Sequence, residues 1–255
     1  MIAPLVTIAL GQVAVLTLDN PPLNLVTRQL TEELDGALAR IEAESSVRAV
    51  VVAAAGARAF CAGSDVTEFE SLRGRVGEGK LIRENAVYDR LARMAVPTIA
   101  AIEGDALGGG LELAMCCDLR VASGRARLGM PEVRLGVIPG SGGTHRLPAL
   151  VGPARAKEMI LLGLPMSAEE AERIGLVNRV VPVGRAEAAA REWAELIATR
   201  GPVAERQAKR AIDVAGSPLA ADEALRASEH VFQTEDMLEG LRAFKGKRAP
   251  QFEGN

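Results

Sequence analysis

Aromatic side chains are scarce in this sequence: one Trp, one Tyr and five Phe make up 3% of 255 residues. So thin a set argues against a surface built to stack nucleic-acid bases. There is no basic excess either. Thirty Lys and Arg stand against 33 Asp and Glu, a net charge of −3, with both signs mixed along the chain. That is not the balance of a nucleic-acid-binding protein, although a local basic patch could still take an anion. With only two histidines, His145 and His230, no ligand cluster of metal-site spacing exists. The three cysteines are Cys61, Cys116 and Cys117, an odd number with one adjacent pair in an apolar run. They read as small buried hydrophobes rather than as a disulfide framework. The opening "MIAPLVTIALGQVAVLTLDN" lacks both a basic leader and a long apolar span. It predicts neither a signal peptide nor a membrane helix, and a reduced, cytoplasmic setting is expected.

What is present suffices for a sizeable core: 48% of the residues are hydrophobic. "LVTIALGQVAVLTLD" predicts two short strands around Gly11 and Gln12. In "TRQLTEELDGALARIEAES", Leu30, Leu34, Leu38 and Ile41 recur at helical spacing. "VRAVVVAAAG" predicts a buried strand, "KLIRENAVYDRLARM" a helix, and "PTIAAIEG", "DLRVAS" and "ARLGM" further strands. "SAEEAERIG" has the Ser167 and Glu170 of a capping box and stops at Gly175. From about Arg185 onward, nearly every segment is helical and bounded by Gly, Pro or Thr. The pattern is an α/β core with a helical appendage.

One stretch is chemically unusual. "IEGDALGGGLELAMCCD", residues 102–118, runs from a strand through three glycines into an apolar helix that carries Glu112. The first N–H groups of a helix have no internal partners and attract negative charge. Glycines there let a ligand atom approach the backbone, so the stretch is a candidate oxyanion hole, with tight turn packing as the alternative. Phosphate-loop readings fail. Neither glycine loop is followed by Lys-Ser/Thr, and "GSGGTH" has His145 where a dinucleotide fingerprint needs glycine. Pro139 likewise breaks the nucleophile-elbow pattern in "PGSGG". Burial would raise the pKa of Glu112 and a helix N-terminus would lower it, and the sequence leaves that balance open. A second acid, Glu132, follows Pro131 between a short strand and the other glycine loop. Brought together, the two acids could hold one water and share acid and base work.

These stretches together resemble the crotonase superfamily, most closely the enoyl-CoA hydratases. The likeness runs through "LDNPPLNLV", "RAFCAGSDVTEF", "PTIAAIEGDALGGGLELAMCCDLRVAS", "ARLGMPEVRLGVIPGSGGTHRLP", "SAEEAERIGLVNRVVP" and "TEDMLEGLRAFKGKR", in order over nearly the whole chain. The resemblance implies an α/β fold: a crotonase-like spiral of ββα units over residues 1–190, with a helical trimerisation region over 191–255. It places oxyanion-hole N–H groups on Ser64 and Gly109, with Glu112 as the main base and Glu132 as the proton donor. Ser64 departs from the alanine common in hydratases but keeps the N–H. The substrate implied is an acyl-CoA thioester, with CoA as part of the substrate and no separate cofactor or metal.

By the same resemblance, Pro22, Leu25, Ala62, Asp65 and Val66 would contact CoA. Lys247, with Lys245 and Arg248, would reach it from a neighbouring subunit. Phe232 is expected in core or interface packing rather than against the adenine. A homotrimer or homohexamer is implied, and no nucleic-acid or membrane partner. The segment "EFESLRGRVGEGKLIRENAVYDRL" is expected to help shape the acyl pocket. A Δ3,Δ2-enoyl-CoA isomerase working from Glu132 is the alternative within the family. A non-catalytic CoA- or RNA-binding relative is the alternative outside it, disfavoured by the paired acids and the charge balance.

Overall fold

The computed structural model of the chain describes residues 3–255. Two sheets carry the fold. The first has the order β1 (Val6–Ala9), β2 (Val13–Leu18), β3 (Ala49–Ala54), β5 (Thr98–Ile102), β7 (Leu119–Ser123), β10 (Arg179–Val181). Only β1 and β2 pair antiparallel; the rest of this sheet is parallel. The second has the order β4 (Ala59–Cys61), β6 (Asp105–Leu107), β8 (Arg127–Gly129), β9 (Met166–Ser167).

Successive strands alternate between the sheets, and a helix then returns the chain. So β3 and β4 precede α2 (Ile82–Ala92), β5 and β6 precede α3 (Gly109–Ala114), and β7 and β8 precede α4 (Gly143–Leu162). These are the ββα units that the resemblance implied.

The central strands are apolar on both faces because both are covered. Val50 and Val52 face the main core, together with Leu30, Leu34, Leu38 and Ile41 of α1 (Arg28–Glu42). Val51 and Ala53 face a second cluster, where Ala186, Ala189, Ala190 and Ala194 of α6 (Ala186–Ala198) cover the sheet. Small alanines let that helix lie close to the strands. Residue 190, where the sequence reading divides core from appendage, therefore lies inside α6. Helix α5 (Ala168–Arg173) starts at Ser167, whose hydroxyl accepts from the Glu170 N–H at 3.2 Å, half of the expected box. Helices α7 (Pro202–Asp213), α8 (Ala220–Phe232) and α9 (Glu235–Gly246) complete the chain.

Phe232 is 71% exposed in the single chain, so of the core or interface packing expected of it the core half is not found. All three cysteines are free and buried, as expected. No helix among the described residues is long and apolar enough to cross a membrane.

Candidate active site

The three glycines stand where β6 hands over to α3. Gly108 has φ +50°, a conformation that side chains rarely adopt, and its N–H is tied to the Gly129 carbonyl at 2.9 Å. A Cβ on Gly110 would lie 2.1 Å from the Cys61 carbonyl oxygen, so α3 packs directly on β4. Gly109, between them, faces the site. A Cβ there would stand 3.3 Å from Ser64 Oγ, 3.6 Å from Ser64 N and 3.9 Å from Glu112 Oε2. One on Gly108 would stand 3.1 Å from Glu132 Oε1. Ser64, Gly109, Glu112 and Glu132 thus converge on one space. As the first residue of α3, Gly109 has no intrahelical acceptor for its N–H. The Ser64 N–H donates to no group among the described residues. Two free donors beside two acids fit a developing oxyanion with a water next to it.

Glu112 is 3% exposed. Its Oε1 accepts from the N–H groups of Ser141 and Gly143, each at 2.8 Å. Gly143 opens α4, so the second glycine loop does bind an anion, and that anion is the protein's own carboxylate. Burial, the largest influence, pushes the Glu112 pKa up to about 7. The two N–H groups pull it down, while the charges of Glu132 and Glu84 push it up. Burial wins the balance that the sequence left open. Glu132 opens the 3-10 turn Glu132–Leu135. Both of its carboxylate oxygens are buried without a hydrogen-bond partner among the described residues, and burial raises its pKa as well. A carboxyl group left unpartnered in this way is costly as a purely structural feature.

Three site residues escaped sequence reasoning. Ser141 and Gly143 hold Glu112, and the only signal for them was a glycine loop before a helix start. Tyr88, the single tyrosine, is fully buried and donates its hydroxyl to the Gly109 carbonyl at 2.9 Å. It fixes the peptide next to the proposed hole.

Most of the residues assigned to CoA lie on one ribbon. Ala62 N–H donates to the Leu23 carbonyl at 3.0 Å, Val26 N–H to Gly63 at 2.9 Å and Asp65 N–H to Val26 at 3.1 Å. Pro22 and Leu25 therefore run beside Ala62, Asp65 and Val66. Val66 is 52% exposed, while the Asp65 carboxylate caps the turn Val66–Glu68 through the Thr67 hydroxyl and N–H. Lys247 is the exposed left-handed cap of α9, and no hydrogen bond or ion pair joins it to this ribbon among the described residues.

The chain is similar to known proteins over nearly its whole length. The family model described as Enoyl-CoA hydratase/isomerase matches residues 9–255. The short-chain-enoyl-CoA hydratase of Clostridium acetobutylicum is 42% identical over 93% of each chain. The crystal structure of an enoyl-CoA hydratase from Bacillus anthracis superposes with a TM-score of 0.93 at 40% identity, covering 98% of this chain and all of that one. DspI of Pseudomonas aeruginosa also superposes with a TM-score of 0.93, at 34% identity, over 98% of this chain and 97% of that one. With matches of this extent, the chain belongs to the enoyl-CoA hydratase/isomerase family and has its crotonase fold.

Proposed function

We propose that this enzyme adds water across the 2,3 double bond of a trans-2-enoyl-CoA. The observation that carries the reading is the meeting of two acids, their carboxylates buried, with two N–H donors that have no partner among the described residues, in one space. The thioester oxygen accepts from Ser64 N–H and Gly109 N–H, which draws electron density from C3. A water held between Glu112 and Glu132 attacks C3. Glu112 takes a proton from that water, and the electron pair of the double bond moves onto the thioester as an enolate. Glu132 delivers a proton to C2 on the same face, and the charge leaves the oxygen. Water is consumed and a 3-hydroxyacyl-CoA forms. Each hole donor is worth about 100- to 1000-fold in rate. Acid–base help adds about 100- to 10,000-fold.

CoA enters as part of the substrate, and the reaction calls for no metal or redox group. The ribbon of Pro22, Leu25, Ala62, Asp65 and Val66 would carry its adenine and pantetheine. Lys247 would reach CoA only from another subunit, which makes a homotrimer, or a hexamer of two trimers, part of the reading. Leu225, Leu241 and Phe244, all exposed on the C-terminal helices, are suited to such a contact. A reduced cytoplasmic setting fits the three buried free thiols.

The test follows loss of the conjugated enoyl-thioester absorbance with wild type, Glu112→Gln and Glu132→Gln side by side. Rapid loss in wild type, slowed at least ~100-fold in both variants, is expected. Wild type inert at every chain length would remove hydration from first place. Isomerisation of a 3-enoyl-CoA surviving in Glu112→Gln but not in Glu132→Gln would point to the isomerase instead.

A further inference from the structure

The inner face of α2 is polar where it meets the site. Lys80, at the end of the preceding turn Gly77–Leu81, is 4% exposed, and Glu84 is 1% exposed. Lys80 Nζ lies 3.2 Å from Glu84 Oε2 and 3.2 Å from Glu68 Oε2, and it donates to the Val26 carbonyl at 3.2 Å. The contact with Glu84 is an ion pair by distance without hydrogen-bond geometry, which leaves Glu84 Oε2 with no hydrogen-bond donor among the described residues. Glu84 Oε1 accepts from the Ser141 hydroxyl. Ser141 N–H is one of the two donors on Glu112. Val26, at the other end, bridges to Ser64. Apolar residues of the same volume would often be as stable as a buried ion pair, so stability alone explains it poorly.

We infer that Glu84, held by Lys80, is a positioning residue for hydration: through the Ser141 hydroxyl it fixes the N–H that orients Glu112, and through Lys80 it ties that carboxylate to the segment bearing Ser64. This rests on the reading of Glu112 as the base. The charges facing Glu112 are Glu132 from the 3-10 turn and Glu84 from α2, and both favour its protonated form. Lys80 offsets Glu84 from behind. From α4, Arg146 donates to the Ser141 carbonyl and is itself paired with Asp89. Tyr88 and Cys116, the remaining titratable neighbours, are held neutral by burial.

The test is steady-state hydration of a short trans-2-enoyl-CoA across pH, using the full-length enzyme. Ser141→Ala removes the hydroxyl but keeps the N–H and the ion pair. It is expected to lower kcat by about tenfold or more through a misplaced base, with KM changed less than about twofold. Its acid limb should stay where wild type has it, because the charge of Glu84 remains. Ser141→Thr, which keeps a hydroxyl, should recover most of the rate. Glu84→Gln should lower kcat similarly and also move the acid limb to lower pH, since a charge that favours protonated Glu112 is gone. Combined with Ser141→Ala, it should cost little more than either change alone.

Should Glu84→Gln fail to fold with Lys80 unpaired, Ser141→Ala and Ser141→Thr decide the matter alone. Ser141→Ala with wild-type kcat, beside a Glu112→Gln that is slowed at least ~100-fold, would overturn the inference and leave the base in place. A Glu112→Gln enzyme as fast as wild type would overturn both.

Discussion

Glu112 Oε1 lies 2.8 Å from the Gly143 N–H, so the first turn of α4 holds a carboxylate that α3 presents. An acid on a helix N-terminus normally titrates low. This one titrates high, because burial outweighs the two N–H groups and brings its pKa up to about 7. A base poised there is about half ionised at neutral pH and still has appreciable proton affinity.

The first prediction is a pH–rate profile. If Glu112 must be ionised to accept a proton from water, kcat/KM climbs through about pH 7 and levels off above it. Enoyl-thioester hydration measured from about pH 5.5 to about 8.5 checks this, and a flat profile over that span would remove Glu112 as the base.

A second prediction concerns stability. The folded-state pKa of Glu112 is raised from 4.5 to about 7. The folded protein therefore holds this proton more tightly than the unfolded chain. The stability linked to it is fully present below pH 4.5 and is lost as pH rises through about 7. Glu112→Gln abolishes that loss. The variant should gain on wild type by up to about 3 kcal/mol between acid and mildly alkaline pH, at 1.36 kcal/mol per pKa unit. Denaturant midpoints of the two proteins at about pH 5 and about pH 8 read it directly, and a constant difference would contradict it.

Local pattern made much of the architecture legible. The Leu30, Leu34, Leu38 and Ile41 stripe is the buried side of α1, and the apolar run of β3 is buried on both faces. The second sheet was harder. Residues 105–107 look like loop, yet form β6, whose pairing depends on β4 and β8 rather than on its own three residues. Helix α4 was not predicted, because Pro148, Gly152 and Pro153 interrupt its pattern and Gly152 kinks it. In the site, Ser64, Gly109, Glu112 and Glu132 carry the motif and do converge. Ser141, Tyr88 and Glu84 act through contacts 21 to 57 residues away along the chain, which no local spacing reveals.

Tyr88 provides a third prediction. Its hydroxyl bonds the Gly109 carbonyl inside the core. Tyr88→Phe leaves the ring and removes that donor, so the carbonyl keeps only its bond within α3, at a cost of about 0.5–1.5 kcal/mol. The Gly109–Gly110 peptide, which adjoins the one presenting the Gly109 N–H, is also freed to tilt. A lower melting temperature together with a fall in kcat is expected, from thermal unfolding and the absorbance assay. An unchanged kcat at full folding would make Tyr88 a packing residue only.

The neighbouring glycines separate folding from chemistry. A methyl on Gly110 would be driven to 2.1 Å from a backbone oxygen of β4, which cannot yield without moving the strand that precedes Ser64. Gly110→Ala should therefore destabilise the protein by at least about 1–3 kcal/mol, the usual cost of overpacking. A methyl on Gly109 meets nothing closer than 3.3 Å and points among Ser64, Glu112 and the reacting space. Gly109→Ala should fold with a melting temperature near that of wild type and lose hydration by about 100-fold or more, since it occupies the place of the thioester. Thermal melts and enoyl-thioester turnover on both variants give the comparison. Equal loss of stability in the two would mean that Gly109 is there for packing, as Gly110 is. An active Gly109→Ala would move the oxyanion hole away from this helix.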